Sequence, residues 1–80
     1  MSKKEASFRY VLQYAVSNPE KKTYYASTEP DKTCMEFYEF ARNHGVELET
    51  FAVLTDENDR PREFWLRTVD NAVICFGGGR

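Results

Sequence analysis

The clearest structural signal lies in residues 28–46, which read TEPDKTCMEFYEFARNHGV. Thr28 can cap a helix, Pro30 suits its first turn, and Gly45 suits the left-handed position just beyond its end. At about 100° per residue, one side of this segment is polar and the opposite side is apolar. The polar stripe holds Lys32, Glu36, Glu39 and Asn43; the apolar side holds Cys34, Phe37, Tyr38 and Ala41, with Met35 and Phe40 on its flanks. The pattern predicts one amphipathic helix.

Three strand patterns follow this helix. They cover Glu47–Thr55, Arg62–Val69 and Ala72–Phe76, each with alternating or continuous apolar residues. Residues 56–61 have the composition of a loop, and Asp70 with Asn71 forms a turn signal. The C-terminal half is therefore predicted to be a three-stranded meander.

The segment before the helix supports two interpretations. In Ser7–Val16, Phe8, Tyr10, Leu12, Tyr14 and Val16 alternate as one face of a strand. The same segment places Phe8, Val11, Leu12, Ala15 and Val16 at helical spacing, and Ser2 with Glu5 fits a capping box. Aromatic enrichment and the turn-forming residues 17–22, which lead into a strand-like run at 23–27, favour a β-hairpin.

The predicted fold class is therefore α+β, in two layers, with one helix on one face of an antiparallel-rich sheet. The favoured element order is ββαβββ, and ααβββ is the alternative if Ser7–Val16 is helical. Eighty residues predict a single domain over 1–80, with flexible ends at 1–6 and 77–80. Since a single helix covers one face only, the other sheet face is expected to meet a partner or a second copy.

Charge is segregated along the chain. Residues 29–59 contain nine acidic side chains against two basic ones, whereas the flanking segments carry net charges of +3 and +2. The total of −2 therefore conceals an acidic middle between basic ends. Such asymmetry bears on partners and on association rates, and not on fold.

No catalytic, metal or cofactor motif accompanies this charge pattern. Cys34 and His44 are ten residues apart on the predicted helix, about 15 Å along its axis, which is too far for a nucleophile–base pair. The one histidine and two separated cysteines lack companions at metal-ligand spacing. Residues 56–67 fail the calcium-loop pattern, since Pro61 and Arg67 replace the required Gly and Glu. The sequence predicts a protein that is not an enzyme and needs no cofactor.

The function favoured by the sequence is a small protein-binding module that meets a basic partner. Complementary charge speeds encounter, and exposed aromatic residues supply affinity. The candidate partner-binding residues are Glu36, Glu39, Phe40, Glu47, Glu49, Asp56, Glu57, Asp59 and Trp65. In size and lack of catalytic motifs the chain is similar in type to phage- or mobile-element-encoded inhibitors of nucleic-acid-handling proteins, such as anti-CRISPR or anti-restriction proteins.

Two other functions stay open. A homo-oligomeric structural protein, with a homodimer as its simplest form, would use the uncovered sheet face. A nucleic-acid binder would use the basic ends, where Arg60, Arg62 and Arg67 interleave with Trp65, although the acidic middle would repel phosphates. No segment is long and apolar enough for a signal peptide or a membrane span, and no disulfide framework is evident, so a cytoplasmic location is expected.

Overall fold

A computed structural model describes residues 2–77 of the chain, which form two helices and four strands. The elements are α1 (Lys3–Ser17), β1 (Lys22–Ala26), α2 (Pro30–Asn43), β2 (Leu48–Thr55), β3 (Pro61–Thr68) and β4 (Val73–Gly77). The sheet has the strand order β1-β4-β3-β2, in which β1 runs parallel to β4 and the other two pairs are antiparallel. The predicted α+β class and its antiparallel-rich sheet are confirmed.

The first segment is a helix, so the strand predicted for Ser7–Val16 is wrong. Ser2 caps α1 by accepting a hydrogen bond from the Glu5 backbone N–H at 3.1 Å. The buried residues of α1 are Phe8, Val11, Leu12 and Ala15, four of the five at helical spacing. Tyr10, which only the strand pattern would have placed in the core, is 69% exposed, and Val16, which belongs to both patterns, is 48% exposed.

The element order is therefore αβαβββ rather than ββαβββ. The ααβββ alternative contains both helices and the C-terminal meander but omits β1. The run predicted as a strand at 23–27 is indeed a strand, yet it pairs in parallel with β4 and not with the segment before it. Two helices, and not one, lie on the sheet.

Helix α2 closely follows its prediction at the C-terminal end and departs from it at the start. Gly45 has φ of +77°, and the Gly45 and Val46 N–H groups donate to Arg42 and Ala41 carbonyls at 3.1 and 2.9 Å. This is the Schellman arrangement, which satisfies carbonyls that the helix leaves free. The N-cap is Glu29 rather than Thr28, and its side chain makes no capping hydrogen bond.

The core lies between the helices and one sheet face. Phe8 and Phe37 meet edge to face with centroids 5.3 Å apart, and Phe37 meets Phe76 of the central strand β4 at 5.2 Å. Leu66 and Ile74 are paired on β3 and β4 and are almost fully buried beneath the helices. Both helices thus cover the same side of the sheet.

Regular structure covers part of each end predicted to be flexible. Residue Lys3 already starts α1, and Gly77 ends β4. Met1 and residues 78–80 lie outside the described residues.

Candidate interaction surface

The sheet face opposite the helices is the most distinctive surface of the chain. Within residues 2–77, no helix or strand covers it. The register places its side chains in three rows that cross the strands from β1 to β2. We call this surface the open face: its upper row is Lys22, Val73, Arg67 and Glu49, its aromatic row is Tyr24, Cys75, Trp65 and Ala52, and its lower row is Ala26, Gly77, Glu63 and Leu54.

Aromatic side chains occupy the centre of the open face. Phe51 stacks on Trp65, with ring centroids 5.9 Å apart and an interplanar angle of 17°. An irregularity in the β2–β3 register between Thr50 and Ala52 leaves Phe51 without a directly paired residue, which is how a β-bulge re-aims a side chain. Phe51 is 48% exposed and Tyr24, on the opposite edge strand, is 51% exposed.

The charged residues of the open face are engaged with one another or with the aromatic rings. The Lys22 ammonium lies 4.0 Å from the centroid of Trp65, and the Arg67 guanidinium lies 5.5 Å from that of Phe51. Arg67 also donates to Glu49 at 3.0 Å, and the Trp65 indole N–H donates to Glu63 at 3.2 Å. With two cations and two carboxylates the open face has no net charge.

Cys75 lies beneath these side chains. It is only 4% exposed, and burial raises the pKa of its thiol, an effect that Lys22 opposes and Glu63 reinforces. Burial also raises the pKa of Cys34, on the core side of α2, to about 11. Since the thiolate is the nucleophilic form, both cysteines are poorly suited to covalent catalysis.

The acidic residues selected from the sequence do not gather into one surface. Glu36 on α2 forms an ion pair with Lys4 of α1 at 3.1 Å, and Glu39 lines the same shallow cleft between the two helices. Glu47 precedes β2 and Glu49 lies on the open face, and both line a cleft beside Arg42 and Val69. Asp56, Glu57 and Asp59 occupy the β2–β3 hairpin turn.

The two aromatic candidates have different positions. Trp65 is half-buried on the open face, as an interaction residue would be. Phe40 belongs to the core cluster, packing against Phe8 at 5.8 Å and stacking on His44 at 4.1 Å. A role for Phe40 in partner binding stays a prediction.

His44 ends α2 beside the cleft that contains Glu36 and Glu39. Its Nδ1 is 2.8 Å from the Phe40 carbonyl oxygen, and because a carbonyl only accepts, this contact requires the proton on Nδ1 in the neutral ring. Among the described residues, no three His, Cys, Asp or Glu side chains are grouped as metal ligands would be.

Sequence reasoning missed Tyr24, Phe51 and Lys22 as members of one surface. Alternation along β1 does place Lys22 and Tyr24 on the same strand face. Their proximity to Trp65 depends on the parallel β1–β4 pairing, which joins segments about fifty residues apart. No local pattern reports that pairing.

Comparisons with known protein families, with curated proteins and with solved structures find no match to this chain. In the part of the chain that the structure describes, neither helix has the length and apolar character needed to cross a membrane.

Proposed function

We propose that this protein is a non-enzymatic protein-binding module and that the open face is its binding surface. The observation that supports this proposal is the group of exposed Tyr24 and Phe51 and half-buried Trp65 on a sheet face that both helices leave uncovered. Contiguous exposed apolar surface of this kind marks interaction sites, and Trp and Tyr are the residues that most often dominate binding energy.

The charge of the open face favours a protein over a nucleic acid. Nucleic-acid affinity is dominated by cations that neutralise phosphates. On the open face, Lys22 and Arg67 are balanced by Glu49 and Glu63, and both cations already contact aromatic rings. A fitting partner is a protein surface with an apolar centre and charges of both signs at its rim.

A basic partner stays a second proposal, supported by acids outside the open face. Glu39, Glu57 and Asp59 are exposed, on α2 and on the hairpin turn. They would attract a basic protein over distance and speed its encounter with the module. If that protein handled nucleic acid, occupation of its basic surface would inhibit it, as in the phage- or mobile-element-type inhibitors to which the chain is similar only in size and lack of catalytic motifs.

Quantitative affinity capture tests the proposal with matched variants. Tagged wild type, Trp65→Ala, Met35→Lys and a Glu36→Lys/Glu39→Lys double variant are incubated with lysate of the native host, and bound proteins are quantified by mass spectrometry. Met35 is 63% exposed on α2 and serves as a control for a surface change away from the open face. Circular dichroism shows that each variant is folded.

The expected result is one or more proteins recovered by wild type and Met35→Lys and lost with Trp65→Ala. Equal recovery of the same proteins by folded Trp65→Ala would contradict the open-face proposal. If the captured proteins are lost only with the Glu36→Lys/Glu39→Lys variant, the binding site lies on the acidic surface of α2 and not on the open face.

A further inference from the structure

The outer edge of β2 is a second surface that the fold leaves without a partner. The strand order β1-β4-β3-β2 puts β2 at one end of the sheet, where it pairs only with β3. Among the described residues, no backbone hydrogen bond from a turn or a loop reaches its other side. An edge strand of this kind presents a row of unpaired N–H and C=O groups, to which another extended chain can hydrogen-bond.

The two edge strands of the sheet differ in how well they are protected against such pairing. β1 is five residues long and begins with Lys22, and both short length and an edge lysine discourage the addition of a strand. β2 is eight residues long, and from Thr50 to Thr55 it contains no charged residue, proline or glycine. Val53 and Leu54, which point to opposite faces of the sheet, are 42% and 47% exposed. β2 is therefore the edge that can accept a further strand.

The irregularities in the β2–β3 pairing confine the available edge to the second half of β2. A bulge between Thr50 and Ala52 increases the local twist, which protects the first half. From Ala52 to Thr55 the strand is continuous, because the second irregularity omits Arg62 of β3 and no residue of β2. We call residues Ala52–Thr55 the free edge.

The charge beside the free edge is negative. The turn that follows it, residues 56–60, has three acidic side chains and one basic one. Two of these acids, Glu57 and Asp59, are exposed and take part in no ion pair among the described residues. They are available to a basic side chain that arrives with an incoming strand.

The same charges disfavour a second copy of this chain as the occupant. If two copies paired antiparallel along β2, the acidic turn of each would lie beside Glu47 and Glu49 at the start of the other strand. Like charges placed opposite one another across a strand pair are destabilising. The acids thus select against self-pairing and in favour of a strand with a basic end, which is how specificity is divided between partners.

We propose that the free edge binds an extended segment of another protein, apolar in its middle and basic at the end that meets Glu57 and Asp59, which joins the sheet as a further strand beside β2. This inference rests on the proposed function, because it names how a basic protein partner binds this module. Main-chain hydrogen bonds to the free edge supply affinity. Contacts with Val53 and Leu54 and the charge of the turn supply specificity.

The test uses a synthetic peptide with capped termini, lysines at both ends and alternating valine and threonine between them, so that it can pair in either direction. Its binding to isotope-labelled protein is followed by NMR at low salt. One control peptide has glutamates in place of the lysines. The other keeps the lysines but has a central proline, which cannot continue a hydrogen-bonded strand.

Two protein variants are matched to these peptides. Glu57→Lys changes the turn beside the free edge, and Glu39→Lys makes the same change of charge at an exposed position on α2. Circular dichroism shows that both are folded. The pair separates local recognition at the free edge from attraction by the overall charge of the protein.

The amide resonances of Ala52–Thr55 are expected to shift with the lysine peptide and with neither control peptide. Glu57→Lys is expected to weaken binding of the lysine peptide about three- to tenfold, because it replaces an attraction with a repulsion. Glu39→Lys should weaken it by less than about twofold, since screening by salt limits the effect of a distant charge.

Several outcomes would overturn this inference. Unchanged Ala52–Thr55 resonances at about 1 mM lysine peptide would do so, as would equal binding of the proline peptide or equal weakening by Glu39→Lys. Trp65-dependent capture of a host protein, with no shift of these resonances, would refute the edge site and leave the open face as the binding surface. Shifts of these resonances, with capture unaffected by Trp65→Ala, would support the edge site and refute the open face.

Discussion

Two buried threonines show that the contribution of a hydroxyl group to stability depends on whether it has a hydrogen-bond partner. The Thr68 hydroxyl accepts the Ala72 backbone N–H at 3.0 Å and holds the turn before β4. The Thr23 hydroxyl on β1 is equally buried and has no partner among the described residues. A buried polar group costs free energy unless it is hydrogen-bonded.

Thr→Val at these two positions should therefore have opposite effects. Thr68→Val leaves the Ala72 N–H without its acceptor and is expected to lower the free energy of unfolding by about 1–3 kcal/mol. Thr23→Val removes an unsatisfied group and is expected to be neutral or stabilising by up to about 1 kcal/mol. Urea denaturation of both isosteric variants measures the difference, and equal destabilisation would show that the Thr23 hydroxyl has a partner.

Gly77 is needed because of Tyr24. A Cβ at position 77 would fall onto the Tyr24 phenol, with the ring carbon Cζ only 2.7 Å away. Gly77→Ala is expected to displace the Tyr24 ring and to destabilise the fold by about 1 kcal/mol. In a Tyr24→Ala background the same substitution should be neutral or stabilising, since glycine weakens a strand. A double-mutant cycle in urea checks the change of sign.

Gly45 and Gly77 show which roles of a glycine a local sequence pattern can predict. The sequence predicts Gly45 as a helix terminator because the periodic pattern that ends there is local. It predicts a flexible tail at Gly77, because the Tyr24 side chain that requires this glycine comes from β1, about fifty positions earlier, and leaves no local signal. Local signals gave the role of one glycine and could not give the role of the other.

At the scale of elements, α1 shows how an aromatic helix can be taken for a strand. Phe8 and Leu12 satisfy the two-residue and the helical periodicities equally well. The deciding residues are Val11 and Ala15, which are buried, and Tyr10 and Tyr14, which stack on each other at the surface. The Ser2 cap favours the helix, whereas the aromatic enrichment of the segment favours a strand, and that prediction is wrong.

The β2–β3 hairpin depends on one carboxylate. Asp56 accepts the N–H groups of Asn58 and Arg60 at 2.8 and 3.0 Å across the turn. The hydrogen bond from Arg60, assisted by that from Asn58 and by the charge of Arg62, lowers the pKa of Asp56 below its usual 3.8. A lowered pKa means that the ionised carboxylate stabilises the folded hairpin.

This stabilisation should be fully present above the usual carboxyl pKa and lost as the pH falls through the lowered value. The Arg60 amide resonance is expected to titrate with a midpoint below 3.8, while the hairpin loosens at still lower pH. NMR titration of wild type and Asp56→Ala measures this, with Glu57→Ala as the control in the same turn. An Arg60 transition that persists in Asp56→Ala would assign it to another carboxyl group.

At the scale of the whole molecule, folding offsets the charge segregation that dominates the sequence. Lys4 from the basic N-terminal segment pairs with Glu36, and Arg67 from the C-terminal segment pairs with Glu49. The acidic middle is thus partly neutralised by the basic ends. Acidic residues that are close in the sequence therefore lie on different parts of the folded molecule, and we place the candidate site on the open face, two of whose members, Glu49 and Trp65, are among the residues selected from the sequence.

The helical layer and the open face should also differ in what their aromatic residues contribute to stability. Phe37 is fully buried between Phe8 and Phe76, whereas Phe51 is half exposed on the open face. Phe37→Ala is expected to cost about 3–5 kcal/mol, a large part of the roughly 4–12 kcal/mol available to a chain of this length. Phe51→Ala should cost about 1 kcal/mol or less, since about half of the side chain is already exposed to water.

Thermal and urea denaturation followed by circular dichroism compare the two variants, with Phe37→Leu as a milder core change that keeps the fold measurable. The expected order of stability is wild type, Phe51→Ala, Phe37→Leu, Phe37→Ala. An open face kept for binding has aromatic residues that folding does not need, because their burial is completed only by a partner. If Phe51→Ala were as damaging as Phe37→Ala, the open-face aromatics would be part of the fold, and their exposure would no longer support a binding role.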